Sequence, residues 1–456
     1  MATINRQAVV VIHGMGEQRP METLRSFVSG IRSIMTEDDA EKKSTVRSKP
    51  DSVGDIYETV RLSLDTAVNP DGTIKRPKTD FYEFYWAHNM RGNQFSHMVA
   101  WMHRLLFTWV AKVPPRLRSL WCTVWIMLVL SVLMTIYFTN SARIEDWKKA
   151  LAPMLAAIAF PSLLALVASF ARSLFLNSAG DAARYFTPVP DNIGERSCIR
   201  QQGIAFLKKL HELKTVEKVD RIIIVAHSLG TVVAYDLLRL LWTEYNTIYG
   251  TTTVPRQPNL LKIDRYYDEN SPPPEGRDQA FYNRLIELEK GNLDAFRDLQ
   301  KACWQEQLTV GNPWLITDFI TLGAAINAAD YFMVTREPMQ ELIAQREMPV
   351  CPPVKDRKDY AFSYKSGQSF PVGNKNYKVR LLHHGALFAV TRWTNIYYSS
   401  DFVGGPMQRK FGGGIKDIMI PRKAPWFFPG GHTAYWEQKD KKNALREILE
   451  AMQLDN

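Results

Sequence analysis

Arg221-Ile-Ile-Ile-Val-Ala-His-Ser-Leu-Gly230 is an apolar run of β-forming residues that ends in a His-Ser-Leu-Gly turn, and Thr231-Val-Val-Ala-Tyr-Asp-Leu-Leu-Arg-Leu240 follows it with helix-type spacing. Strand, sharp turn and helix in this order predict a bend that lifts the Ser228 hydroxyl off the end of a sheet and holds its backbone in strained geometry. Small neighbours keep such a bend free of clashes. Gly230 meets that need on one side, while Ala226 stands two residues before Ser228, where the usual pattern has Gly. A serine in a strand-to-helix turn also occurs in α/β proteins with no chemistry attached, so the rest of the chain decides what the turn means.

A second buried strand, Ala8-Val-Val-Val-Ile12, runs straight into His13-Gly14-Met15-Gly16. With this pair of motifs the chain resembles the α/β-hydrolase superfamily, in particular its lipases and esterases, whose first core strand often ends in His-Gly. The resemblance implies a mostly parallel sheet flanked by helices. It also implies an oxyanion hole made by the backbone N–H groups of Met15 and Leu229, with His13, Gly14, Gly16, His227 and Gly230 as supporting motif residues. Two preorganised donors of this kind stabilise charge that develops only in the transition state.

A serine hydroxyl needs a base to take its proton and an acid to fix that base's tautomer. The superfamily order is Ser, acid, His, and only His383, His384 and His432 follow Ser228. His432 lies in the loop Pro429-Gly-Gly-His-Thr-Ala-Tyr-Trp436, before the charged helical tail Lys439 to Met452, and is the expected base. His383 and His384 sit between two apolar segments and read as hydrogen-bonded imidazoles in or beside the core. For the acid, Thr394 to Gly405 reads as a strand turning into a loop at Asp401, the first choice. Asp330 is the second. Asp318 would lie at the wrong end of its strand, since sites in open α/β sheets gather at strand carboxyl ends. His227, beside the nucleophile, is expected to pack or hydrogen-bond rather than act as base.

Leu120 to Phe138 carries no charge over 19 residues, and after a polar connector Ala150 to Ala171 is another 22 uncharged residues containing Pro153 and Pro161. Helices of that length approach the ~30 Å of a bilayer's hydrocarbon core, and proline is tolerated in such helices. The expectation is therefore a transmembrane hairpin over 119–176, inserted between an N-terminal part of the hydrolase domain (1–118) and a C-terminal part (177–456). Two spans return the chain to the side it left, as a sheet containing both Met15's strand and Ser228's strand requires. Arg104, Lys112, Arg116 and Arg118 before the first uncharged stretch, with Arg172 and Arg184 after the second, outnumber Arg143, Lys148 and Lys149 in the connector and favour the cytoplasmic side for the catalytic parts. Ala8 to Ile12 is too short for a cleavable signal.

With 456 residues, 46% of them hydrophobic, the chain can bury a full α/β core and still supply two spans. A net charge of +10 suits a surface lying against anionic lipid. No basic stripe interleaved with aromatics marks a nucleic-acid module. Cys122, Cys198, Cys303 and Cys351 show neither paired nor metal-ligand spacing, which favours a reducing compartment and no metal. Thr251 to Asp278, with Pro272-Pro-Pro274, reads as a long surface excursion, and Phe411-Gly-Gly-Gly-Ile415 as a flexible turn. The expected function is a membrane-anchored serine hydrolase acting on carboxylic esters, lipid acyl esters foremost, through Ser228, His432 and Asp401 without cofactor. The alternative is a catalytically silent scaffold whose hairpin forms a pore or binds a partner. Oligomeric state is not legible.

Overall fold

The computed structural model describes residues 4–14, 19–38, 46–51, 53–54, 56–90, 190–213, 217–247, 257–265, 290–328, 338–355, 362–372, 375–401, 403–422, 431–436 and 444–455, with isolated positions between 109 and 186. Its strands are β1 (Arg6–Ile12), β2 (Val46–Pro50), β3 (Val60–Leu64), β4 (Ala67–Val68), β5 (Ile74–Arg76), β6 (Lys78–Phe84), β7 (Arg221–His227), β8 (Ile316–Leu322), β9 (Ser363–Val372), β10 (Lys375–Leu382), β11 (Arg392–Tyr398) and β12 (Lys416–Ile420). Eight of them make one mostly parallel α/β sheet in the order β12-β11-β8-β7-β1-β6-β3-β2, with β3 antiparallel to both its neighbours. The pairs β4–β5 and β9–β10 stand apart as two-stranded ribbons.

The central strands are apolar on both faces because both faces are covered. Along β1, Ala8, Val10 and Ile12 join one core while Val9 and Val11 join the other; along β7, Ile222, Ile224 and Ala226 face the first core and Ile223 and Val225 the second. The helix after β1, α1 (Glu22–Asp38), packs on the second core through Leu24, Phe27 and Ile31. Helix α2 (Pro190–Glu212) and the helix after β7, α3 (Gly230–Tyr245), pack on the first. From β1 the chain builds outward to β6, and from β7 it builds the opposite way to β8 and β11, so strand order reverses between β1 and β7. A crevice at the carboxyl ends of strands flanking such a reversal is where α/β sheets bind ligands.

The opposite edge of the sheet is tied by charge. Asp318, near the start of β8, is 1% exposed and meets Arg221 of β7 at 2.7 Å and Arg392 of β11 at 2.8 Å. Burial opposes ionisation of Asp318, but the two guanidiniums outweigh it and hold the carboxyl well below its usual range. Arg221 also donates to the carbonyls of Met452 (2.8 Å) and Gln453 (3.0 Å), which anchors the end of the last described helix, Ala444–Met452. Asp318 therefore belongs to the amino edge, away from Ser228.

Two expectations are corrected. Within the supposed surface excursion, α4 (Pro258–Arg265) is a helix with Leu260 and Ile263 fully buried, and the carboxylate of Glu306 on α5 (Lys290–Thr309) accepts the N–H groups of Asn259 (2.8 Å) and Leu260 (2.9 Å). The Phe411–Ile415 turn is packed rather than loose: Phe411 and Ile415 are fully buried, and a Cβ on Gly412 would stand 2.3 Å from the Cys351 carbonyl. The second candidate span and most of the first lie outside the described residues. Ile126, Val129, Leu130 and Leu133 are helical and exposed, on one helix face by their spacing. Among the described residues no helix is long and apolar enough to cross a membrane.

Asp318→Ala leaves two buried guanidiniums without their carboxylate and is expected to lower unfolding free energy by about 3–5 kcal/mol in urea titration. A loss below about 1 kcal/mol would show that the cluster does not fasten this edge.

Candidate active site

The register of the parallel strands brings their carboxyl ends level. Ile12 pairs Ala226, His227 pairs Leu322, and Leu322 pairs Ile396. His13, Ser228 and Gly323, directly after β1, β7 and β8, and Asp401, three residues after the end of β11, therefore emerge along one edge. Ser228 itself has φ +52°, the left-handed region that side-chain-bearing residues rarely adopt. That strain, of order 1–3 kcal/mol, persists only under enforcement from outside. Here the Ser228 N–H donates to Leu322 (3.0 Å), and its carbonyl accepts from the Thr231 N–H (3.0 Å) and hydroxyl (2.6 Å). Gly230 is required for a different reason. A Cβ there would lie 2.3 Å from the His13 carbonyl oxygen, so any side chain would drive α3 off β1.

His432 reaches this serine from the loop before the last helix. Its Nε2 is 2.8 Å from Ser228 Oγ, and its Nδ1 is 3.0 and 3.1 Å from the two oxygens of Asp401. With Nδ1–H donated to the carboxylate, Nε2 is free to accept from the serine hydroxyl. Asp401 is 1% exposed. Burial alone would push its carboxyl up, but His432, the Tyr435 hydroxyl at 2.7 Å and the Gly404 N–H at 3.0 Å hold it down as the anion. Gly323, at φ +52°, makes room for the contact, since a Cβ there would meet an Asp401 oxygen at 2.6 Å and His432 Nδ1 at 3.1 Å.

The other expected residues fall as follows. His13 stacks on Trp86 with centroids 5.2 Å apart; its Nε2 accepts the Trp86 N–H at 3.3 Å, so its Nδ1–H donates to the Gly14 carbonyl at 2.8 Å. A Cβ on Gly14 would stand 2.8 Å from the Ser228 Cβ, so the chain leaving β1 touches the turn at Ser228. Leu229 directly precedes α3, where first-turn amides have no partner inside the helix. Met15, Gly16 and Asp330 lie outside the described residues. His383 is buried, with Nε2 2.8 Å from the Val354 carbonyl and Nδ1 accepting the Gly385 N–H at 3.1 Å, in a different part of the core. His227 sits against His432, its Nε2 2.9 Å from the His432 carbonyl.

Sequence reasoning passed over Tyr435, Gly323 and Gly404. The aromatic residues after His432 and the glycines after β8 and Asp401 were visible, but nothing in spacing alone says that a tyrosine hydroxyl or a missing Cβ will meet a carboxylate. Among the described residues no His, Cys, Asp and Glu cluster is arranged to hold a metal ion. No family model, curated protein or solved structure matches the chain.

Three imidazoles are kept neutral chiefly by burial: His13 and His211 are pushed down to about 4, and His227 to about 3. Unfolded, each takes up a proton near pH 6.5, so folding loses stability as pH falls below that value. Glu83, which burial pushes up to about 7, acts the other way, because the folded state already holds its proton. Burial raises the carboxyls of Asp51, Asp264, Glu306, Asp417 and Glu447 as well, and these act with Glu83. The imidazole share is therefore read as a difference: the gap in unfolding free energy between the parent and His211→Gln in urea titrations should shrink by about 1 kcal/mol from pH 6.5 to 5.5. A gap that does not change with pH contradicts a neutral His211.

Proposed function

We propose that the chain is a serine hydrolase of the α/β-hydrolase type, lipase- or esterase-like, that cleaves carboxylic esters through an acyl-enzyme. The observation that carries this reading is one imidazole, His432, within hydrogen-bond reach of both a strained serine and a buried carboxylate, all three supplied from the carboxyl edge of one sheet. A purely structural histidine has no need of a serine hydroxyl held at φ +52°.

In this mechanism Ser228 Oγ attacks the ester carbonyl carbon while His432 Nε2 takes the hydroxyl proton. Asp401 stays ionised, holds the ring through Nδ1–H and stabilises the imidazolium that forms. The carbonyl oxygen becomes an oxyanion, for which the amides of Leu229 and, by its place in sequence, Met15 are the proposed donors. The tetrahedral intermediate then collapses. His432 returns the proton to the leaving alcohol, and an acyl group remains on Ser228. Water, deprotonated by the same Nε2, attacks this second ester; the bond between Ser228 Oγ and the acyl carbon breaks, Nε2 returns its proton to Oγ, and the acid leaves. Every proton passes through one ring, so no cofactor enters these steps.

The substrate class we propose is a lipid acyl ester. The uncharged stretches over 119–176 and the exposed Ile126, Val129, Leu130 and Leu133 support attachment to a bilayer, where such esters are concentrated. The basic flanks of that region support a cytoplasm-facing site.

The test is covalent labelling of the detergent-solubilised full chain with a fluorophosphonate probe. The parent is expected to label, Ser228→Ala not at all, and Asp401→Ala at a rate reduced by about 10⁴-fold, as loss of an orienting acid does elsewhere. An unlabelled parent, beside a lipase that labels, would remove the hydrolase reading. For the anchor, the chain in cell membranes should resist alkaline carbonate extraction and come away only with detergent. Release by carbonate would contradict the spans while leaving the chemistry untouched.

A further inference from the structure

His227 has no part in the relay just described, yet its ring is wedged between the pieces that relay needs. Its Nε2 lies 2.9 Å from the backbone carbonyl of His432, and the two rings are 5.1 Å apart. Tyr435 and Trp436 close the other sides at 5.4 and 5.6 Å. On its far side, Nδ1 is 3.1 Å from where a Cβ on Gly14 would stand, so the ring also abuts the end of β1. We infer that His227 is a positioning residue, whose Nε2–H grips the main chain of the base loop and sets how far His432 stands from Ser228.

The chemistry of the contact fixes the tautomer. A carbonyl oxygen can only accept, so the proton must sit on Nε2 and Nδ1 must be bare. Burial, with His432 alongside, pushes His227 down to about 3, so the ring stays neutral over the range in which the enzyme would work. That neutrality has a use. His432 becomes an imidazolium during each turnover, and a second cation 5.1 Å away would oppose it. A neutral N–H donor gives the hydrogen bond without the charge.

The geometry explains why the neighbour of the nucleophile does this work. Residues 227 and 228 are joined by one peptide bond, so their Cα atoms are ~3.8 Å apart by covalent geometry. Any group that fastens His432 to His227 therefore fastens it to Ser228. His432's ring has only its two nitrogens, already turned to Ser228 and Asp401, and neither holds the loop's main chain. The His227 contact supplies that hold from the serine's side.

This inference rests on the hydrolase reading, and its test separates the two. With p-nitrophenyl butyrate as probe substrate and the full chain in detergent, His227→Phe keeps an aromatic ring but loses the donor. His227→Gln restores an amide N–H at similar reach. His227→Phe is expected to lower kcat by up to about 10²-fold with KM within about twofold, the size of effect that small misplacement of a catalytic group produces. His227→Gln should recover most of that loss. Parental kcat in His227→Phe, or no recovery in a His227→Gln protein that melts like the parent, would overturn the inference while Ser228-dependent turnover upholds the hydrolase reading. The parent alone supplies a second measurement. Nitrogen-15 histidine spectra should show His227 neutral and protonated on Nε2 from pH 5 to 9. An Nδ1–H tautomer or a cation would overturn the inference even if the variants fail to fold or the chain turns over no ester.

Discussion

Everything at the candidate site depends on parallel strands ending at the same level. Ser228, Gly323 and Asp401 come from β7, β8 and β11, and the imidazole of His432 spans the edge they form. A hydrogen bond at 2.8 Å and another at 3.0 Å leave almost no tolerance for a slip between strands. One residue of register shift would move a side chain by ~3.3 Å and turn it to the other face. Pairing of Ala226 with Ile12 and Thr321, and of Leu322 with Ile396, is the constraint that lets Ser228, His432 and Asp401 form one hydrogen-bonded chain. The buried Asp318 cluster fastens the same strands at their opposite ends, so the level of the carboxyl edge is set from both directions.

Close backbone approach is the second requirement, and glycine supplies it. Gly230 lets α3 start against the carbonyls of β1, and Gly323 leaves the space in which Asp401 meets His432. The strained φ of Ser228 is stabilised by the hydrogen bond it donates to the Leu322 carbonyl and by those it accepts from Thr231, elements that also hold the sheet and the helix. Strain at the serine and order around it are therefore one construction. Polar groups follow the same logic: His13, buried, and His227, half-buried, are each bonded through a ring nitrogen to a main-chain carbonyl, at Gly14 and His432.

Much of this is legible in the sequence, for physical reasons that differ by residue. The strands β1 and β7 announce themselves as continuous apolar runs because both their faces are covered, and the turn at His227-Ser228-Leu229-Gly230 follows from where the run stops. The chain order Ser228, Asp401, His432 came from the resemblance, and the structure brings those three together. Tyr435's bond to Asp401 was not legible, because it depends on how two loops far apart in sequence stack. Helix α4 was hidden by proline-rich surroundings that read as surface, although its Leu260 and Ile263 form an apolar stripe of helical spacing. The Phe411–Ile415 turn misled for the converse reason: glycines there permit tight packing on Cys351 rather than looseness.

The central claim is that Ser228 Oγ carries the acyl group between two half-reactions. The direct measurement is rapid-quench reaction of the purified chain with p-nitrophenyl butyrate, acid trapping and mass analysis of its peptides. A burst of p-nitrophenol near one equivalent, with one butyryl group on the peptide containing Ser228, is the expected result. Turnover with no burst and no acylated peptide would show that bond cleavage proceeds without this serine as nucleophile, and an acyl group on any other residue would place the chemistry elsewhere.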